Sequence, residues 1–172
     1  MKKPETSNQK PEKEIYKVAV LTISDKCSKG MRKDESGKIV QELAGKIPAE
    51  VVKYEVVPDE PDMIKAKLIE YADDLKVDLV LTDGGTGFTE RDRTPEATRD
   101  VIEKEVQGIP EAMRFACFKS SPRAMLSRGI AGIRGKTLII NLPGSSKGAK
   151  ESLEAVLATL PHGLDMILGK EH

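Results

Sequence analysis

The chain has 172 residues, enough for one domain with a sizeable core. Its 28 Lys and Arg balance 28 Asp and Glu, so the formal net charge is zero. That balance argues against a bulk nucleic-acid or anionic-membrane binder, whose domain carries a basic excess. Two cysteines, Cys27 and Cys117, form no CxxC, and the histidines are only His162 and His172. A disulfide framework and a zinc site are therefore not expected, and Cys27 reads as inert.

Residues 1–14, MKKPETSNQKPEKE, hold no large apolar side chain beyond Met1 and are expected to form a disordered tail. They lack the apolar stretch of a secretory signal. No later run reaches the ~18–20 apolar residues needed to span a bilayer. A cytoplasmic protein with reduced thiols is expected, folded as a single domain over residues 15–170.

Val18–Ile23 (VAVLTI) is a short, nearly continuous apolar run rich in β-branched residues, as suits a strand covered on both faces of a parallel sheet. Ile39, Val40, Leu43 and Ile47 then mark a helix with Asp34 or Ser36 as N-cap. Val51–Val57 reads as a second strand. Ile64, Leu68, Tyr71 and Leu75 mark a second helix, and Leu79–Thr82 a third strand. Thr94-Pro95-Glu96 reads as N-cap, N1 proline and first-turn acid of a helix running to about Val106 and stopped by Gly108. A helix from about Pro110 to Lys119 ends before Ser121-Pro122. Ala131–Lys136 contains a turn that makes one strand pair antiparallel, and Thr137–Leu142 is the last strong strand. Leu153, Val156, Leu157 and Leu160 mark a late helix interrupted at Pro161. His162 starts a final helix that Gly169 stops. Strands alternating with amphipathic helices define an α/β fold around a mainly parallel sheet.

The unusual residues lie in the loops after the strands. They are Ser24-Asp25, Pro58-Asp59-Glu60-Pro61, Asp83-Gly84-Gly85-Thr86-Gly87 and Pro143-Gly144-Ser145-Ser146-Lys147-Gly148. In an open α/β sheet, ligands bind beyond the carboxyl ends of the strands, so a parallel sheet brings these loops together. Backbone N–H groups at helix starts favour phosphate, and Lys147 adds charge. Asp25, Asp59, Asp83 and Asp92 would repel an anion unless a cation intervened. Mg²⁺, which takes carboxylate, phosphate and water oxygens, is the natural one. The combination points to nucleotidyl or phosphoryl transfer on a metal–triphosphate. Neither GxGxxG nor a Walker A loop is present. Each residue alone has a plainer reading: Asp59 as a helix cap, Asp92 as an ion pair between Arg91 and Arg93, Asp25 as a turn former, Lys147 as a surface lysine. Their location on one edge carries the case.

Several stretches together carry a resemblance. They are LTISD (Leu21–Asp25), VPDE (Val57–Glu60), LTDGGTG (Leu81–Gly87), RDRTPEAT (Arg91–Thr98), LSRGIAGIRGKTLIINLPGS (Leu126–Ser145) and the SKGAKESL that follows. On these the chain resembles the Mog/MoaB family of molybdenum cofactor biosynthesis proteins and the related domain of gephyrin. The resemblance implies a three-layer α/β sandwich that assembles as a homotrimer, or a hexamer. It implies Mg²⁺- and ATP-dependent adenylation of molybdopterin with release of pyrophosphate, the product passing to a molybdenum-insertion protein. It places essential acids at Asp59 and Asp92, which would also hold the metal. Substrate and phosphate contacts fall on Ser24, Asp25, Gly84, Gly85, Thr86, Gly87, Pro143, Gly144, Ser145 and Lys147. Two positions depart from the family pattern: Asp83, where a small residue is usual, and Ser146, where proline is common. Two other readings stand beside adenylation, a non-catalytic molybdopterin carrier and a Mg²⁺-dependent nucleotide binder without pterin affinity. With three Phe, three Tyr and no Trp, no ring-stacking platform is evident, and Phe88 after the glycine loop is the one candidate.

Overall fold

A computed structural model describes residues 15–170; the tail expected at residues 1–14 lies outside the described residues. The strands are β1 (Tyr16–Ile23), β2 (Ala49–Val57), β3 (Leu79–Asp83), β4 (Lys104–Glu105), β5 (Ala131–Arg134) and β6 (Thr137–Leu142). They form one sheet in the order β2-β1-β3-β6-β5-β4. The first three and β6 run parallel, β5 returns antiparallel to β6, and β4 pairs antiparallel to β5. The turn at Gly135, with φ of 55°, reverses the chain between β5 and β6, so the antiparallel pair is where Ala131–Lys136 places it.

The helices are α1 (Asp25–Ser28), α2 (Glu35–Ala44), α3 (Pro61–Ile69), α4 (Thr94–Arg99), α5 (Gly108–Phe118), α6 (Ser146–Leu157) and α7 (Leu160–Leu168). Strand side chains alternate between faces. Val18, Val20, Leu79, Leu81 and Ile140 therefore pack under α2, α5, α6 and α7, through Val40, Leu43, Met113, Leu153 and Leu164. Ala19, Leu21, Val80 and Ile139 face the other way, against Ile64, Leu68, Tyr71, Ala97 and Val101 around α3 and α4. The result is a three-layer sandwich. Covering on both faces explains why β1, β3 and β6 read as unbroken apolar runs.

Some boundaries differ from the sequence expectation. The helix from Thr94 ends at Arg99, not near Val106, because Lys104–Glu105 leaves to pair with β5. Val101 and Ile102 pack under the sheet from the connecting segment and so imitate a helical stripe. Gly108 opens α5 instead of stopping a helix. Leu75, assigned to the apolar stripe, is 41 % exposed, because a π-turn at Glu70–Asp74 rotates it out of phase. Thr94 is the first residue of α4, not its cap: the cap position is Arg93, which makes no side-chain capping bond.

Candidate functional site

The carboxyl ends of β1, β2, β3 and β6 share one edge of the sheet, so the four loops converge as parallel pairing requires. The β1 loop turns straight into α1, where the Ser24 hydroxyl accepts the Cys27 N–H at 3.2 Å. Asp25 and Asp59 then clasp each other. The Asp25 N–H donates to Asp59 Oδ2 at 2.8 Å, and the Asp59 N–H donates to Asp25 Oδ1 at 3.1 Å. Arg91 straps this pair from the RDRT segment. It donates to both Asp25 oxygens at 2.9 and 3.1 Å and pairs with Glu60 at 2.8 Å. The guanidinium and the Asp59 N–H hold the Asp25 carboxyl below the usual carboxylate range. Asp25 thus aligns two loops, with both oxygens committed to protein donors.

Asp59 does not cap α3; that position is Glu60, whose side chain pairs with Arg91 and makes no capping bond. Burial pushes the Asp59 carboxyl up, and the like charges of Asp25 and Asp92 push the same way. Asp92 is not a solvated partner of Arg91 or Arg93 either. Its Oδ2 accepts the N–H and O–H of Thr89 at 2.8 and 2.6 Å, closing a tight local turn. Among the described residues no hydrogen bond reaches Oδ1 of Asp59 or of Asp92, so each keeps one oxygen for a ligand.

The glycine loop lies between these acids. Gly84 and Gly85 take φ of 100° and 66°, conformations that favour glycine. A Cβ on Gly84 would fall on the Ile23 carbonyl, and one on Gly85 would strike Thr94 Oγ1 and lie 3.4 Å from Asp59 Oδ1. At the other end of the loop, a Cβ on Gly87 would come within 2.9 Å of Asp92 Oδ2. One carboxylate therefore flanks each end of the Gly84–Gly87 turn. Gly144 leans on Gly84, with room for a Cβ only 3.1 Å from its Cα, which brings the β6 loop onto the same turn.

Arg128 supports this arrangement from below and was not identified from sequence. Its Nε donates to the Gly87 carbonyl at 2.7 Å and a terminal nitrogen donates to the Asp92 carbonyl at 2.6 Å, while the other meets Glu96. Its own N–H donates to the Thr86 carbonyl at 2.9 Å. Beside the loop opens a cavity of about 560 Å³ lined by Thr86, Gly87, Pro143, Ser145 and Lys147 together with α5 and the segment after it. Met113 and Cys117 give it an apolar wall; Arg114, Arg123, Ser120 and Ser121 give it positive charge and hydroxyls. The sequence predicts a helix here and assigns it no part in the site. Two arginines around a serine pair were the available signal. Ser145 caps α6 by accepting the Gly148 N–H at 3.1 Å, and Lys147 is exposed at the mouth with Glu151 at 3.8 Å. Phe88, the one candidate for stacking on a ring, is 70 % exposed and does not line the cavity; the loop points it into solvent.

Two carboxylates with free oxygens, a glycine turn and a basic, half-apolar cavity accommodate a phosphorylated heterocycle next to a metal-bound polyphosphate. Residues 19–162 match the MoCF_biosynth family, whose description is "Probable molybdopterin binding domain". The chain is 47 % identical over 154 residues to a molybdopterin adenylyltransferase of Helicobacter pylori, covering 88 % of each chain. It is 39 % identical over 143 residues to the Escherichia coli molybdopterin adenylyltransferase, covering 81 % of this chain and 73 % of that protein. Its fold superimposes with a TM-score of 0.87 on the molybdopterin biosynthesis enzyme MoaB of Thermus thermophilus, at 53 % identity over 91 % of this chain and 98 % of that one. With the loop motifs, the site geometry and these likenesses in agreement, the chain belongs to the Mog/MoaB family of molybdenum cofactor biosynthesis proteins.

Proposed function

We propose that this chain is a nucleotidyltransferase that adenylates molybdopterin from ATP with Mg²⁺, releasing pyrophosphate. The observation that carries the reading is the pair of half-free carboxylates, Asp59 and Asp92, at the two ends of the glycine turn that borders the basic cavity. Relatives named molybdopterin adenylyltransferase support the substrate.

The donor set fits a Mg²⁺. That ion is usually held by one or two carboxylates, with substrate phosphates and water completing its shell. Among the described residues no cluster of three or more acidic, His or Cys side chains offers a cage of the protein's own. Asp59 Oδ1 and Asp92 Oδ1 are the oxygens that would hold it, and its charge offsets the repulsion that raises the Asp59 carboxyl. When bound, Mg²⁺ supplies charge neutralisation on the triphosphate and on the departing pyrophosphate.

The chain's own residues position the reactants. Arg114, Arg123 and Lys147 attract the pterin's terminal phosphate into the cavity, with the hydroxyl of Ser145 at its edge. Thr86 and Pro143 line the cavity, Gly144 holds the β6 loop against Gly84, and Ser24 caps the short helix after β1. One phosphate oxygen attacks the α-phosphorus of ATP, a P–O bond forms, and the bond to pyrophosphate breaks. No strong general base is needed, because a phosphate monoester is already largely anionic at neutral pH. In this reading the catalyst acts through proximity and preorganised charge. The product serves a molybdenum-insertion protein in the cytoplasm, and the chain works as a homotrimer.

The test is direct. Purified protein, molybdopterin, ATP and Mg²⁺ are mixed and adenylated pterin is followed by chromatography. Metal-dependent product is expected. Asp59→Asn and Asp92→Asn should each lose about 10²-fold or more in turnover, the scale of one key electrostatic group. Both should unfold at the wild-type temperature. Pterin binding without product would replace the enzyme with a carrier.

A further inference from the structure

Asp83 stands where the family pattern has a small residue, and the adenylation scheme makes no use of it. It is the last residue of β3, directly before Gly84, and is wholly buried. Its carboxyl turns away from the cavity into a polar pocket formed by Thr22 near the end of β1 and by Asp34 and Ser36 at the start of α2. Thr22 Oγ1 lies 2.5 Å from Asp34 Oδ2 and 2.8 Å from Asp83 Oδ2. Ser36 Oγ lies 2.5 Å from Asp83 Oδ1 and 3.2 Å from Asp34 Oδ1.

Each hydroxyl carries a single hydrogen, so two hydrogens face four close oxygen pairs. Were both acids ionised, Thr22 could donate to only one of the carboxylates it touches. The other would meet a bare lone pair inside the protein. One added proton serves the three shortest pairs, and the longest, Ser36 to Asp34 Oδ1 at 3.2 Å, is left to the Gly37 N–H that the same oxygen accepts. Ser36 then donates to Asp83 Oδ1, a protonated Asp83 Oδ2 donates to Thr22 Oγ1, and Thr22 donates to Asp34 Oδ2.

Geometry decides which acid holds the proton. Asp34 has two further donors, the Tyr54 O–H at 2.6 Å and the Gly37 N–H at 2.9 Å, and is only partly buried. Asp83 has only the two hydroxyls and, among the described residues, no ion pair. The titratable groups facing it are Asp34 from the start of α2 and Tyr54 from β2. β1 presents Thr22, and β6 pairs alongside through the apolar Leu142. Cys27, Arg32, Lys33 and Glu35 border an adjoining cavity of about 220 Å³ without bonding to Asp83.

We propose that Asp83 is a positioning residue whose protonated form closes a hydrogen-bonded frame through Thr22 to Asp34, fixing the start of the glycine turn to the β1 loop and to α2. The functional part of the proposal rests on the site assigned above; the protonation does not. When the proton leaves, the Asp83–Thr22 bond is lost and two carboxylates repel through one hydroxyl. Burial, reinforced by Asp34, pushes the Asp83 carboxyl from 3.8 up to about 6. The folded protein thus binds a proton that the unfolded chain releases. The stabilisation is fully present below the unfolded value of 3.8 and is lost as pH rises through about 6.

Asp83→Asn imitates the protonated acid, since its amide oxygen accepts from Ser36 and its NH₂ donates to Thr22. Infrared difference spectra of wild type against D83N, taken between pH 4 and 8, should show a protonated carboxyl band in wild type that persists above the ordinary carboxylate range. D83N should unfold at a higher temperature than wild type at pH 8 and show little or no advantage at pH 5. Amide exchange at Gly84 and Gly37, corrected for its intrinsic pH dependence, should accelerate with pH in wild type and stay level in D83N. Turnover of D83N should persist across the alkaline limb where wild type declines. Absence of the band, or a D83N protein less stable than wild type at pH 8, would overturn the protonated form. Exchange profiles that coincide in the two proteins would overturn the positioning role. The infrared, unfolding and exchange readings need no substrate, so they stand whether or not the protein adenylates.

Discussion

Arg128 joins three segments that the sequence separates widely: the glycine turn through the Thr86 and Gly87 carbonyls, the RDRT segment through the Asp92 carbonyl, and α4 through Glu96. Its planar fork reaches them together, a geometry lysine cannot copy. Arg128→Lys should therefore let Asp92 drift from Gly87. Turnover is expected to fall about 10- to 100-fold, with nucleotide KM changed only a few-fold, because sub-ångström placement governs reactivity more than affinity. Steady-state kinetics with and without excess ATP separate the two. Arg128 lies in the Leu126–Ser145 stretch, but nothing there shows its role, because its partners, three backbone carbonyls and Glu96, are brought near only by folding. Asp59 and Asp92 were singled out by the VPDE and RDRTPEAT motifs that carry the resemblance, since each alone reads as a cap or an ion pair. Their free oxygens, and the commitment of Asp25 to Arg91, became visible only in three dimensions.

At the scale of elements, the parallel core was readable from β-branched runs such as Val18–Ile23 and Thr137–Leu142, because burial on both faces leaves no polar alternation to obscure them. The α4–β4 region was not. Val101 is buried and Ile102 partly buried from an irregular segment, and a two-residue strand has no periodicity to detect. The cavity wall on α5 was hidden for a different reason: Met113 and Cys117 look like ordinary core residues whether a helix faces the core or a pocket. The start of α6 offers a clean separation of folding from binding. Ser145 both caps the helix and lines the cavity. Aspartate caps about as well as serine and adds favourable charge at a helix start. Ser145→Asp should therefore unfold within a degree or two of wild type, yet bind molybdopterin about tenfold more weakly or worse as its carboxylate opposes the phosphate. Thermal scans beside a binding titration check both halves.

Across the whole molecule, the first strand and last helix are tied by Tyr16, whose O–H lies 2.6 Å from Asp165 and 3.1 Å from the Pro161 carbonyl. Tyr16→Phe should cost about 1.5–3 kcal/mol in chemical denaturation, the worth of a hydrogen bond to a charged acceptor, with turnover unaltered because α7 is remote from the glycine turn. The sheet order has a further consequence for biogenesis. β3 lies between β1 and β6, and β6 is the last strand to be synthesised. A nascent chain that has emerged only as far as Arg134 carries β3 with one side unpaired, although Leu79–Asp83 is buried along its whole length in the finished protein. During that interval the strand is a bare apolar edge of the kind that recruits neighbouring chains. The protein's exposure to aggregation is therefore greatest on the ribosome and early in refolding, and chaperone dependence should end when the β5–β6 hairpin docks.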